Sequence, residues 1–310
     1  MDYRILGKTD LKVSILGFGG APLGNVYGTV DAREGERAVH LAIDRGINYF
    51  DVAPYYGETL AEERLGEALE GRRDRVVLSS KCCRYGFDNF DFSAKSVERS
   101  IGESLRRLRT DHLDLLIIHD IEFGDRHQII EETIPAAHRM RQAGKTRYVG
   151  ISALPPKFLR SVASEAPVDV ILSYAHCNLL VRDLDEVLRP ITQERGIGLV
   201  NASALHLGIL SDSGPQEWHL APAPVKEAGR KIVELCRSHG ATAAEVALRY
   251  SLAYPHVAST LVGIANPLQL EQNLRALDSR TDPDLLERIE AIARPVLNMT
   301  WPSGRPENQE

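Results

Sequence analysis

The sequence predicts an α/β fold, namely a (β/α)8 barrel with an N-terminal β-hairpin and extra helices near the C-terminus. Three observations lead to this prediction. Short apolar runs alternate with longer amphipathic stretches along the chain. The runs are apolar at consecutive positions, which is typical of strands buried on both faces of a parallel sheet. The length of 310 residues suits one barrel of about 250 residues with insertions, so a single domain over residues 1–310 is expected.

The chain begins with a predicted hairpin, in which residues 3–6 and 11–13 flank a turn-forming stretch at 7–10. Eight short strands of apolar and β-branched residues are expected after it. Their predicted ranges are 15–18, 47–50, 76–79, 115–118, 148–151, 168–172, 198–200 and 260–262.

Amphipathic helices are predicted between and after these strands. The stretch 93–107 shows the pattern, since Val97, Ile101 and Leu105 recur at helical spacing and form one apolar stripe. The predicted helices span 32–45, 93–107, 127–143, 156–165, 182–195, 224–239, 242–253, 267–277 and 283–293. Two stretches interrupt the alternation, 206–222 with Trp218 and 294–310 with Trp301. Each is interpreted as a substrate lid or as a loop with a packing tryptophan.

Composition limits the partners and the compartment. Lys and Arg number 37 against 43 Asp and Glu, so the formal net charge is −6, which argues against a dedicated nucleic-acid binder. The sequence shows no run of about 18 uncharged apolar residues and no secretory signal pattern, so no membrane partner is expected. The four cysteines lack metal-site spacing and fit a reduced, cytoplasmic setting. A monomer and a homodimer both remain open.

Polar residues follow three successive predicted strands, where barrel active sites lie. Asp51 follows the second strand, Lys81 the third and His119 the fourth, with Tyr56 shortly after Asp51. A tyrosine is a poor base near neutral pH, but a neighbouring ammonium lowers its pKa. Lys81 is expected to do this to Tyr56, Asp51 to hold Lys81, and His119 to orient a substrate oxygen. Each residue alone also suits a structural role, but together they indicate proton transfer.

These residues carry a resemblance to the aldo-keto reductase family. The sequence DVAPYYG at 51–57 resembles the family pattern DxAxxYG, LGFGG at 16–20 is similar too, and 263–273 resembles GxxxxxQLxxN. The resemblance implies that Asp51, Tyr56, Lys81 and His119 are catalytic, with Tyr55 as the competitor of Tyr56. It also implies hydride transfer between a nicotinamide cofactor and a carbonyl or alcohol carbon.

The resemblance also implies a cofactor site along the strand ends. Its candidate residues are Gly19, Gly20, Ser152, Ser173, Tyr174, Ser203, Leu205, Gly208, Leu210, Gly263, Gln269 and Asn273. Two positions depart from the pattern of many relatives, Ala153 in place of Asn and Ala202 in place of an aromatic residue.

The resemblance also bears on the choice of cofactor. NADP-preferring relatives carry Lys and Arg where this chain has Gly263 and Gln269. A 2′-phosphate favours cationic partners, so NAD is expected and NADP stays possible, with Arg275 nearby.

Three further stretches, HDIEFG at 119–124, VDVILSYAH at 168–176 and GPQEWH at 214–219, resemble the L-galactose and L-fucose (D-threo-aldose) dehydrogenase branch. The resemblance implies NAD-dependent oxidation of the anomeric carbon of an aldose to a lactone. Asp120, Glu122 and Trp218 are the candidate sugar contacts.

Three alternatives remain open. One is an NADP-linked reductase of small aldehydes or ketones, and another is a non-catalytic, nicotinamide-binding regulatory subunit. The third is a metal-dependent hydrolase using His119, Asp120 and Asp51. It is disfavoured because the chain lacks a His-x-His pair, and no metal site is expected.

Overall fold

The computed structural model describes residues 1–278 and 280–309. Its strands are β1 (Tyr3–Ile5), β2 (Lys12–Ser14), β3 (Leu16–Gly19), β4 (Tyr49–Asp51), β5 (Val77–Cys82), β6 (Leu113–Ile118), β7 (Thr146–Ala153), β8 (Val170–Tyr174), β9 (Gly198–Ala202) and β10 (Ser259–Gly263). β1 and β2 form an antiparallel hairpin, and the other eight strands close a parallel barrel in the order β10-β3-β4-β5-β6-β7-β8-β9. The predicted (β/α)8 fold is confirmed.

Helices connect the strands on the outside of the barrel. They are α1 (Ala32–Asp44), α2 (Leu60–Ala68), α3 (Ala94–Arg107), α4 (Arg126–Gln128), α5 (Ile134–Gln142), α6 (Pro156–Glu165), α7 (Leu184–Arg195), α8 (Ala223–Ser238), α9 (Ala243–Leu252), α10 (Pro267–Asp278) and α11 (Pro283–Ala293). The predicted single helix at 127–143 is instead α4 and α5 joined by a π-helical segment, Ile129–Thr133. Within 1–278 and 280–309, no helix combines the length and apolar character needed to cross a membrane.

Helix α2 is absent from the sequence prediction, and its local signals are weak. Thr59, the residue before it, has φ 84° and its side chain does not cap the helix. Gly66 lies inside the helix, where glycine has low propensity. The structure explains this glycine, because a Cβ there would lie 2.2 Å from the carbonyl oxygen of Arg107. Close packing of α2 against α3 therefore outweighs helix propensity.

The hairpin covers one end of the barrel. Leu6, Leu11 and Val13 are buried in one apolar cluster with barrel residues that include Leu115 and Val200. Burial of such side chains is worth about 1.5–3 kcal/mol each relative to exposure. Since the hairpin precedes β3 and its residue Lys8 donates to the carbonyl of Gly196 just before β9, it lies at the N-terminal ends of the strands. The C-terminal ends remain for a binding site.

Candidate active site

The four residues predicted to be catalytic meet at the C-terminal ends of β4, β5 and β6. Lys81 Nζ lies 2.5 Å from Asp51 Oδ2 and 3.2 Å from the hydroxyl of Tyr56. It also donates to the carbonyl oxygen of Val52 at 3.0 Å. Because Asp51 ends β4 and Lys81 lies within the adjacent β5, the parallel register itself brings these side chains together.

The buried carboxylate of Asp51 uses both of its oxygens. Oδ1 accepts a hydrogen bond from the Ser79 hydroxyl at 2.5 Å, while Oδ2 pairs with Lys81. Asp51 is 3% exposed and Lys81 is 1% exposed. A buried ion pair persists only where such hydrogen bonds satisfy its remaining groups. The pair therefore holds the Lys81 ammonium in a fixed position beside the Tyr56 hydroxyl.

Two glycines fix the turn that carries Tyr56. Gly57 has φ +64°, and a Cβ there would lie 2.1 Å from the carbonyl oxygen of Gly24. A Cβ on Gly24 would lie 2.4 Å from the carbonyl oxygen of Tyr56. This close backbone contact is possible only without side chains, and it holds Tyr56 beside Lys81.

The Tyr56 phenol is held in its neutral form. Burial raises the pKa of Tyr56 well above the ordinary tyrosine value, and the charges of Asp51 and Asp120 raise it further, against Arg84. The net shift of this pKa is upward, and the lowering expected from Lys81 stays a prediction. Asp51 pairs with the ammonium at 2.5 Å, so the phenol oxygen lies beside an ion pair and not beside a free cation.

His119 forms one wall of the site and is neutral. Its backbone N–H donates to the carbonyl of Cys82 at 3.0 Å, and its ring meets the Tyr56 ring edge to face at 6.0 Å. Burial lowers the pKa of His119 to about 3, and the charges of Lys81 and Arg84 lower it while that of Asp120 raises it. A neutral imidazole has one N–H, so His119 can donate one hydrogen bond to a substrate oxygen.

Arg84 is a site residue that the sequence analysis missed. Its guanidinium forms an ion pair with the carboxylate of Asp120, which is 2% exposed. Its central carbon lies 3.8 Å from the centre of the Tyr55 ring. Arg84 lies three residues after Lys81, beyond the strand end, and no motif in the sequence distinguishes it.

Glu122 is entirely buried below the rim of the barrel. Its Oε1 accepts from the backbone N–H of Leu154 at 3.1 Å, the Tyr174 hydroxyl at 3.3 Å and the Ser303 hydroxyl at 2.9 Å. Burial and the charge of Asp120 raise the pKa of Glu122 to about 8. In this structure Glu122 connects the loop after β6 to the C-terminal tail, and its role as a sugar contact stays a prediction.

The two tryptophans of the rim segments have different environments. Trp218 is 43% exposed, and its ring lies 6.1 Å from that of Tyr27, which interacts electrostatically with Tyr55 and Tyr56. Trp301 instead packs against the rings of two buried histidines, at 5.5 Å and 4.9 Å. Trp218 therefore lies partly exposed beside Tyr27, and its role as a sugar contact stays a prediction, whereas Trp301 takes part in packing of the tail.

The candidate residues for the nicotinamide end of a cofactor lie on β7, β8 and β9. Ser152 Oγ accepts from the backbone N–H of Asp120 at 3.3 Å. Ser173 Oγ and Asn201 Oδ1, on paired positions of β8 and β9, are buried without a hydrogen-bond partner among the described residues. Such atoms need partners when buried, and a carboxamide supplies both a donor and an acceptor. The residues present therefore fit a nicotinamide.

The remaining cofactor candidates lie in the loop after β9, at the β10–α10 junction, at the ends of strands and within α10. After β9, Ser203 has φ 62° and Gly208 has φ 100°, and Leu205 and Leu210 lie on the same loop. At the β10–α10 junction, Gln269 Oε1 accepts from the backbone N–H of Ala265 at 2.8 Å. The other candidates are at the end of β3 (Gly19, Gly20), the end of β8 (Tyr174), the end of β10 (Gly263) and within α10 (Asn273).

Metal chemistry finds no support in the same region. Within the part of the chain that the structure describes, no three His, Cys, Asp or Glu side chains are arranged to hold a metal ion. His119 instead packs against the Tyr56 ring, and Asp51 forms an ion pair with Lys81.

Comparison with known proteins agrees with this geometry. The sequence model of the Aldo/keto reductase family matches residues 15–294. The chain is 43% identical to L-galactose dehydrogenase of Arabidopsis thaliana over 99% of both chains. It is 30% identical to D-threo-aldose 1-dehydrogenase of a Pseudomonas species, covering 85% of this chain and 89% of that one.

A solved structure is similar over the whole chain. It is the holo form of an aldo-keto reductase from Bacillus halodurans, with a TM-score of 0.79, 28% identity and full coverage of both chains. The fold, the family match and the dehydrogenase relatives together indicate an oxidoreductase that uses a nicotinamide cofactor. The chain belongs to the aldo/keto reductase family of NAD(P)-dependent oxidoreductases.

Proposed function

We propose that the protein oxidises the anomeric carbon of an aldose, such as L-galactose or L-fucose, to the lactone with NAD. The main support is the 43% identity, over 99% of both chains, to a protein described as L-galactose dehydrogenase. The 30% identity to a D-threo-aldose 1-dehydrogenase supports the same substrate class. The juxtaposed Asp51, Lys81, Tyr56 and His119 supply groups for the proton transfer that this reaction needs.

The chain's own residues bind the sugar oxygen and move its proton. Tyr56, as its phenolate, accepts the proton of the anomeric hydroxyl, and Lys81 donates a hydrogen bond to the phenol oxygen at 3.2 Å. His119 donates its single N–H to the same sugar oxygen. A nicotinamide held beside Ser152, Ser173 and Asn201 would supply the hydride acceptor for the anomeric carbon. The products are the lactone, the reduced cofactor and one proton.

NAD is proposed over NADP because of the first turn of α10. Gly263, Gln269 and the intervening residues bring no Lys or Arg to this turn, and Glu271 is paired with Arg45 at 2.5 Å. A phosphate with about two negative charges needs cationic partners. The adenosine end is thus better suited to a free ribose hydroxyl than to a 2′-phosphate.

The neutral Tyr56 phenol gives specific support to a second candidate, an NADP-linked or NAD-linked reductase of small aldehydes. A phenol whose pKa is raised by burial stays protonated at neutral pH, the form from which a carbonyl oxygen receives its proton. The two candidates share the site and differ in the direction of the reaction.

The deciding experiment measures initial rates with L-galactose, L-fucose and D-arabinose, each with NAD and with NADP. We expect reduced cofactor to form with at least one of these sugars, and faster with NAD. Absence of oxidation of all three sugars, together with reduction of a small aldehyde by NADPH, would favour the second candidate. Absence of both activities in a folded protein would leave the non-catalytic interpretation.

A further inference from the structure

Arg84 and Asp120 form an ion pair directly beside His119. Asp120 Oδ2 accepts from Arg84 Nη1 and lies 3.6 Å from His119 Nε2. This last distance is beyond a hydrogen bond. Oδ2 is therefore close to the histidine but paired with the arginine, while Oδ1 is buried with no hydrogen-bond partner among the described residues.

Stacking fixes the position of the arginine itself. The Arg84 guanidinium lies 3.8 Å from the centre of the Tyr55 ring and 5.2 Å from that of Phe90. Its Nε and Nη2 atoms donate weakly, at 3.4 Å, to the carbonyl oxygens of Gly86 and Phe87. A planar guanidinium held between aromatic rings and carbonyls has little freedom, so it presents one fixed side to Asp120.

This arrangement matters because a neutral histidine has only one N–H to give. A free carboxylate beside Nε2 would accept that N–H and would stabilise the doubly protonated ring. Resting on the proposed role of His119, we propose that Arg84 is a positioning residue of the reaction. It holds the Asp120 carboxylate beside His119 Nε2 without a hydrogen bond, so that this N–H remains for the substrate oxygen.

Other groups around His119 do not replace this contribution. The neighbouring rings of Tyr55 and Tyr56 carry no positive charge. The Lys81 ammonium also lowers the pKa of His119, but it is paired with Asp51 and does not hold the Asp120 carboxylate. The titratable and charged groups that face His119 are Asp120 from its own loop, Lys81 and Arg84 from β5 and the loop after it, and Tyr55 and Tyr56 from the turn after β4.

The test compares Arg84→Gln with Arg84→Gln/Asp120→Asn in the full chain. In Arg84→Gln, we expect kcat to fall about 100-fold, as for loss of one donor to a reacting oxygen. The ratio of its kcat/KM to that of the wild type should fall further as pH decreases from 8 to 5, because His119 becomes protonated. The double variant removes the unpaired carboxylate and should recover at least about tenfold of the loss, with a pH-independent ratio.

A matched control is Arg139→Gln, which breaks an ion pair with Glu98 on the outer surface of α3 and α5 and should change neither rate nor profile. Should Arg84→Gln not fold, the double variant lacks both partners of the pair and is expected to fold. It is then compared with Asp120→Asn. An equal rate in these two variants would support the proposal, since Arg84 then acts only through Asp120, and a lower rate in the double variant would contradict it.

A second readout needs no substrate. NMR of protein labelled at the histidine rings, with the His119 signal assigned from His119→Asn, should show a neutral His119 from pH 5 to 8 in the wild type and a titrating one in Arg84→Gln. An unchanged titration, together with no recovery in the double variant, would overturn the proposal. Because this measurement is independent of the sugar, failure of the aldose assay would count against the proposed function alone.

Discussion

Lys81 Nζ lies 2.5 Å from Asp51 Oδ2 in a region where the two residues are 1% and 3% exposed. Neither charge is solvated, so each depends on the other for its stability. The ammonium reaches Tyr56 with a third hydrogen bond at 3.2 Å. The same ion pair therefore contributes to the stability of the barrel and positions the ammonium that contacts Tyr56.

Lys81→Met should destabilise the protein by about 3–5 kcal/mol, because it leaves the Asp51 carboxylate buried and unpaired. Urea unfolding measures the change. Lys81→Met/Asp51→Asn should regain most of the lost stability and none of the activity. The control Arg37→Met breaks an exposed pair with Glu34 and should change stability by less than about 1 kcal/mol. Equal stability losses in the Lys81 single and double variants would contradict the pairing argument.

Tyr56→Phe should lower kcat by about 10²–10⁴-fold, the range of general acid–base catalysis. Cofactor binding, followed by fluorescence titration, should change by less than about threefold, since the ring and the Gly24 contact are kept. Tyr55→Phe is the matched control, because it keeps the ring on which Arg84 stacks and should retain most of the activity. A larger loss in Tyr55→Phe than in Tyr56→Phe would contradict this prediction and assign the proton transfer to Tyr55.

The oxidation rate should rise with pH. Burial raises the pKa of Tyr56, and oxidation requires the phenolate, so kcat/KM should increase by about tenfold per pH unit through pH 7–9 wherever the phenolate fraction limits the rate. Reduction uses the neutral phenol and should be nearly constant over the same range. Rate profiles in both directions measure this. A plateau of the oxidation rate below pH 7 would show that Tyr56 is not the group that titrates.

The barrel and the placement of the residues proposed as catalytic could be predicted from sequence for the same physical reason. Strands buried on both faces are largely apolar, so polar residues at the end of such a run lie near the strand end. Parallel pairing then brings Asp51 and Lys81 together without any information on side chains. Helix α2 lacked such a signal, since it contains Gly66, which the packing against α3 requires, and begins without a side-chain cap.

The ion pair of Arg84 and the burial of Glu122 could not be predicted because both depend on distant parts of the chain. The Arg84 ion pair requires Asp120, 36 residues later, whose backbone takes φ 50°. Glu122 is buried in part by Ser303, 181 residues later. Sequence spacing indicates which residues follow a strand. It does not indicate which of them are then covered by the tail.

Gln269→Arg should raise the ratio of kcat/KM for NADP to that for NAD by about tenfold, the effect of about 1.4 kcal/mol from one charge-assisted contact. The change introduces a guanidinium at the start of α10. Gln272→Arg adds the same charge at an exposed position of that helix and should leave the ratio nearly unchanged. Gln269→Met removes the hydrogen bond to Ala265 without adding charge. If this variant shifts the ratio as much as Gln269→Arg, the loop and not the charge sets the preference.

Glu122→Gln should alter how stability depends on pH. Burial and Asp120 raise the pKa of Glu122 to about 8 from an ordinary value of 4.5, so the folded protein retains a proton that the unfolded chain releases. Between these values the folded state binds more protons, and the free energy of unfolding of the wild type falls as pH rises. Glutamine keeps the acceptor for Leu154, Tyr174 and Ser303 and does not ionise.

The stability of Glu122→Gln relative to wild type should therefore rise by at least about 1.4 kcal/mol, the equivalent of one pKa unit, between pH 5 and pH 9. Urea unfolding at both pH values measures it. Glu287→Gln, on an exposed position of α11, should show no such change. An equal stability difference at the two pH values would mean that Glu122 is already ionised in the folded protein, and that the tail is held by Ser303 against a charged carboxylate.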